Sequence, residues 1–176
     1  MKTQTKRILE ILSVVTWIAA IGFAIECGSQ IVSLVVSFNN PEKAGRIYGA
    51  NPDFFTFRQY NSSYFICAIT LKISVTALKS YIWFKVIDLI SKLNLDSPFT
   101  TIVAKKLEKI SYILLEIAIL CIIGKGYMDY ISKNISMNIS GDFRPQEYLF
   151  MAGIVYIISQ IFKRGVEIQA ENELTV

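Results

Sequence analysis

Four stretches of the chain are almost continuously apolar, and polar segments rich in turn signals separate them. They run over residues 11–38, 62–90, 110–130 and 148–164. Most are at or above the ~20 residues an α-helix needs to cross the hydrocarbon core of a bilayer. The first has no charge between Ile11 and Ile25 and is longer than one crossing requires, so it must tilt, break near Gly28 or project beyond the lipid. The second is interrupted by Lys72 and Lys79, and Lys72, Thr76 and Ser80 recur every four residues, which puts them on one helix face. Such a polar stripe on an otherwise apolar helix predicts a neighbour to face. The fourth has 15 uncharged residues from Tyr148 to Phe162, and Lys163 and Arg164 can complete the crossing by extending along their apolar stems. The pattern predicts an all-α fold, an integral membrane four-helix bundle forming a single domain over residues 1–176, with a polar tail over 165–176.

The connections support this division. Asn40-Pro41 and Pro52 are turn signals in residues 39–61, and the aromatic residues Tyr48, Phe54, Phe55, Phe57 and Tyr60 there read as anchors at the lipid–water boundary. Asp96-Ser97-Pro98 marks a turn, after which Thr100 or Thr101 caps the third helix.

Composition agrees: 53% of residues are apolar and 18% charged, too oily a balance for an ordinary soluble domain. Lys2, Lys6 and Arg7 precede an apolar run too long for a cleaved signal peptide, so it reads as a retained helix. The segments before the first span, between the second and third, and after the fourth hold nine Lys and Arg residues against five in the other two, which predicts both termini on the cytoplasmic side. The formal charge of +4 flanks or interrupts apolar helices instead of forming an exposed basic face, so direct nucleic-acid binding is not expected.

Catalytic chemistry finds little support. The chain has no histidine, which excludes His-based triads and most catalytic zinc sites, and no glycine-rich phosphate loop. Cys27, Cys67 and Cys121 are odd in number, lack metal-ligand spacing and lie in apolar runs, so they read as small apolar residues. No enzyme activity, cofactor or metal is expected.

The unusual residues are ionisable groups inside apolar helices: Glu26, Lys72, Lys79 and Glu116, with Lys125 near enough to a helix end to reach water. A charge near the bilayer centre costs at least about 2.5–3.5 kcal/mol, so such groups turn toward a partner or a cavity. Glu26 and Lys72 lie at matching depths, about 15–18 Å from the outer ends of their helices. A Glu26–Lys72 ion pair follows as an expectation, with Glu116–Lys79 a looser match.

The closing run from Phe162 through Lys163-Arg164-Gly165-Val166-Glu167-Ile168-Gln169-Ala170-Glu171-Asn172-Glu173 to Val176 resembles the ending of DUF2975, a family of small bacterial four-span membrane proteins of unknown function. Ser97-Pro98-Phe99 with Lys105 and Lys106 is similar to that family's internal loop, with serine in place of asparagine. Leu149-Phe150-Met151-Ala152-Gly153-Ile154 resembles the start of its last span, and Ile21-Gly22-Phe23 with Glu26 and Gly28 resembles a subfamily found in gut and environmental Bacteroidetes-type bacteria. The resemblance implies a multi-pass protein of the bacterial cytoplasmic (inner) membrane. Genes of the family often lie beside one for a small helix-turn-helix transcriptional regulator, which implies a cytosolic partner held or released at the membrane. Lys163, Arg164, Glu167, Glu171 and Glu173 are the candidate contacts, because an acidic helix end can compete with DNA for a basic surface. The alternative is a small-molecule or ion transport or resistance component that works through Glu26, Lys72, Lys79 and Glu116. Self-association into a homo-oligomer is compatible with either.

Overall fold

A computed structural model describes residues 2–40, 57–93, 98–135 and 143–173, with isolated positions 43 and 47; the side chains of residues 2–6, 135 and 173 fall outside the description. Four long helices make up almost all of it: α1 (Lys2–Asn39), α2 (Ser62–Lys92), α3 (Thr101–Ile135) and α4 (Pro145–Glu173). Three of them, over Arg7–Asn39, Ser62–Lys92 and Pro145–Asn172, are long and apolar enough to cross a membrane.

Local chemistry sets the ends. Asn61 has extended backbone, and its side-chain oxygen accepts from the amides of Ser63 and Tyr64, capping α2. Thr100 does the same for α3, its hydroxyl accepting from the Val103 amide while its carbonyl takes the first helical bond from Ala104. Proline opens α4, where its missing amide hydrogen costs nothing. At the far end of α1 the Arg58 guanidinium donates to the Ser37 carbonyl, placing a cation where helix carbonyls end. Of the loop aromatics, Tyr48, Phe54 and Phe55 lie outside the described residues. Phe57 is a correction to the boundary-anchor reading: it is fully buried, edge-on to Phe65 with centroids 6.1 Å apart.

Each helix packs antiparallel on its neighbour in sequence. Trp17 of α1 meets Phe84 of α2, Tyr127 of α3 donates to the Tyr64 carbonyl of α2, and Tyr112 of α3 stacks near Tyr156 of α4. Extensive packing joins α1 to α2, α2 to α3 and α3 to α4, and no other pair of helices to the same degree. The expected bundle is therefore open on the α1 side. One end of the molecule gathers the start of α1, the end of α2, the start of α3 and the end of α4, and is here called the basic end for its Lys92, Lys105, Lys106, Lys109, Lys163 and Arg164.

The α2–α3–α4 core holds Phe65, Ala68, Ile69, Val75, Ile117, Cys121, Met128, Ile131 and Phe143 toward the far end, and Leu89, Val103, Ile110, Leu114 and Ala152 toward the basic end. On α1, by contrast, Thr16, Ala20 and Ser37 are the buried side chains, and Ile11, Val14, Trp17, Ile18, Ile21, Ile25, Val32 and Val35 are exposed. Water would not tolerate apolar residues around so much of a helix; lipid does. Buried hydroxyls are satisfied within their own helices: Thr16 donates to the Leu12 carbonyl at 2.6 Å, Thr76 to Lys72 at 3.0 Å, Ser111 to Glu108 at 2.7 Å and Ser159 to Tyr156 at 2.6 Å.

Two glycines admit aromatic rings against helix backbone. A methyl at Gly124 would come within 2.7 Å of the Phe143 ring, and one at Gly165 within 2.6 Å of the Phe99 ring. Each ring belongs to the segment leading into a helix and fastens it to the neighbouring one. Gly124→Ala must displace a buried ring, so it should lower stability by about 1–3 kcal/mol. Reversible unfolding in mixed micelles, compared with Gly126→Ala, where a methyl meets nothing within 4 Å, measures it.

Candidate functional site

Two polar features occupy the basic end. Between α2 and α3, Lys85, Asp88, Lys106 and Lys109 line a small pocket of about 130 Å³ in which the Lys106 ammonium pairs with the Asp88 carboxylate. Lys85 leans 4.7 Å over the Tyr81 ring. Between α3 and α4, a larger cleft of about 250 Å³ is lined by Thr101, Lys105, Glu108, Gln160, Lys163 and Glu167 among others. These side chains converge because Thr101, Lys105 and Glu108 share one face of α3, while Gln160, Lys163 and Glu167 share the opposing face of α4.

Of the five predicted tail contacts, Lys163 and Glu167 line this cleft. Arg164 is held within the tail: its guanidinium lies 2.8 Å from Glu167 and 3.9 Å from Glu171, all largely exposed. Glu173 ends α4, its side chain outside the described residues. The tail continues α4 without a break, nine residues past Arg164.

The contacts between helices give the levels of Glu26, Lys72, Lys79 and Glu116 along the molecule. Trp17 meets Phe84, so nine residues along α1 Glu26 stands level with Val75, within one turn of Lys72. Lys106 meets Asp88, so nine residues along α3 Leu115, beside Glu116, stands level with Lys79. Their side chains are occupied differently. Glu26 is exposed on α1 and accepts from the Gln30 amide one turn on, at 3.2 Å. Lys79 points its ammonium over the ring of Tyr148 on α4, 5.5 Å from the centroid. Lys72 and Glu116 are exposed on α2 and α3, whereas Thr76 and Ser80, on the stripe shared with Lys72, are buried. None of the four charged residues lines the clefts above. Among the described residues no group of three His, Cys, Asp or Glu side chains is placed to hold a metal.

The family model described as "Protein of unknown function (DUF2975)" matches residues 11–176. The chain belongs to the DUF2975 family. No curated protein and no solved structure matches it.

For this DUF2975 protein the sequence pointed at the tail and the intramembrane charges but missed the cleft, whose α3 wall is Thr101, Lys105 and Glu108. Their spacing of four and three was visible; that α4 brings Gln160 and Lys163 opposite was not, because it depends on how the two helices pair. It missed Tyr148 as the neighbour of Lys79 for the same reason. A desolvated ammonium over a tyrosine face contributes about 0.5–2 kcal/mol. A double-mutant cycle with Lys79→Met and Tyr148→Leu should therefore give a coupling of that size in detergent unfolding, and additive losses would remove the interaction.

Proposed function

We propose that this DUF2975 protein is a four-span, non-enzymatic protein of the bacterial cytoplasmic membrane that acts by contact, holding or releasing a small cytosolic helix-turn-helix regulator at its basic end. The four-span reading rests on packing. α3 runs the full length of the seam between α2 and α4, touching α2 at Tyr64 and Asp88, α4 at Tyr156 and the segment leading into α4 at Phe143. If α2 and α4 lie in lipid, α3 shares their depth. Its own charges within residues 110–130 are Glu116, Lys125 and, near the far end, Asp129, because the Lys105–Lys109 cluster sits at the helix start. Both termini then fall on the side carrying the Lys and Arg excess.

The observation that carries the partner reading is the exposed, charged continuation of α4 beyond Arg164. A helix that has left the lipid and buries almost nothing has no folding reason to continue for nine residues with Glu167, Glu171 and Glu173. Arg164 pairs with Glu167 and Glu171 at its start, and its carboxylates offer a negative face to a basic DNA-binding surface. The adjacent Lys163 and Lys105 mark where that face meets the membrane.

Detergent-solubilised protein should retain a small helix-turn-helix regulator of the kind often encoded beside genes of this family. Glu167→Gln, Glu171→Gln and Glu173→Gln combined should lower that retention at least about tenfold, the loss of a little over 1.4 kcal/mol of charge complementarity. Retention unchanged by the triple substitution would contradict the reading.

A further inference from the structure

The seam between α3 and α4 carries a second cleft beside the polar one. Tyr112, Leu115, Leu149, Ala152, Gly153 and Tyr156 line an apolar space of about 320 Å³. The two lie end to end along the same seam and are read as one groove. On α3 the lining positions 101, 105, 108, 112 and 115 step by three or four, and on α4 so do 149, 153, 156, 160, 163 and 167, so each set is a single stripe. Polar lining occupies the half at the basic end and apolar lining the half deeper along the helices. Tyr112 and Tyr156 stand at the junction with ring centroids 6.3 Å apart, and the Tyr112 hydroxyl donates to Glu108 at 3.2 Å.

We propose that this groove seats one phospholipid with a phosphoethanolamine head, its phosphate between Lys105 and Lys163, its amine on Glu108 and an acyl chain along Leu115, Leu149 and Gly153. The division of the groove is that of an amphiphile, with its polar half where the helices leave the lipid. Lys105 to Leu115 spans about 15 Å of helix, half of a ~30 Å hydrocarbon core and so the depth of one leaflet. The charges select the head. Two ammonium groups and two carboxylates line the polar half, but Glu167 is engaged by Arg164 at 2.8 Å. That leaves two cations for a phosphate and one carboxylate for an amine. A head without an amine offers Glu108 no charged donor, leaving its carboxylate only the Tyr112 hydroxyl, and a quaternary amine cannot donate a hydrogen bond to it.

The inference goes beyond the partner reading and does not depend on it, since no regulator takes part in the test. A methyl at Gly153 would meet nothing within 4 Å, so the first carbon of a larger side chain there enters open groove. Full-length protein in mild detergent is offered phosphatidylethanolamine, phosphatidylglycerol and phosphatidylcholine in equal amounts, and retained lipid is counted by native mass spectrometry. The wild type should hold one phosphatidylethanolamine with a preference of about tenfold over the others, the factor one charge-assisted hydrogen bond supplies. Gly153→Leu, with helicity unchanged by circular dichroism, should abolish retention. Glu108→Gln should erase the preference over phosphatidylglycerol, and Lys105→Gln with Lys163→Gln should weaken all three. Equal retention of the three lipids, a preference for phosphatidylglycerol, or a helical Gly153→Leu protein that still binds would overturn the proposal. So would displacement of the lipid by an equal concentration of free phosphoethanolamine, which would make the ligand a soluble phosphate ester.

Discussion

Every feature of this protein answers to one constraint: inside hydrocarbon a backbone amide or carbonyl has no water to bond with, so the chain must satisfy its own polar groups. Helices do this residue by residue. The hydroxyls that fall within them follow the same rule, since Thr16, Thr76, Ser111 and Ser159 each donate back to a carbonyl of their own helix. The apolar remainder is free to face lipid, which is why α1 can expose isoleucine and valine on several sides and still belong to a stable fold. A soluble helix must hide such residues; here hiding them would bring no gain, because lipid tails are as apolar as a protein core.

Association between the helices must then come from close packing and a few polar contacts. The structure places those contacts at the ends. Arg58 reaches the last carbonyls of α1, Lys106 meets Asp88, and the rings of Phe143 and Phe99 close on Gly124 and Gly165. Between these fastenings lie Lys79 over Tyr148 and the level-matched charges of α1, α2 and α3. The same geometry that fastens the basic end leaves a groove between α3 and α4, so structural economy and a candidate binding site share one seam.

Much of the fold was legible in the chain. Four apolar runs gave four helices, Pro98 and Thr100 marked the start of α3, and the Lys and Arg distribution picked out the end at which polar chemistry gathers. The helices outrun the apolar stretches: α3 begins nine residues before residue 110 and α4 continues nine past Arg164, because hydropathy reports where lipid ends and not where the helix does. Side-chain partners were the least legible. Level could be counted along a helix from the sequence alone. Rotation about the axis could not, so Lys79 was not seen to face Tyr148, nor Phe57 to turn inward. The family resemblance was carried by the tail, and the match over residues 11–176 bears it out.

The account stands or falls on all four helices crossing the bilayer together. On a background with Cys27, Cys67 and Cys121 replaced, single cysteines at the exposed positions Ser91, Asn134, Gln146 and Gln169 can be tested with a membrane-impermeant maleimide on sealed vesicles of known orientation. Ser91 and Gln169 should react from the cytoplasmic side, Asn134 and Gln146 from the other. Reaction of Ser91 and Asn134 from the same side would show that α3 does not cross, and would contradict the account.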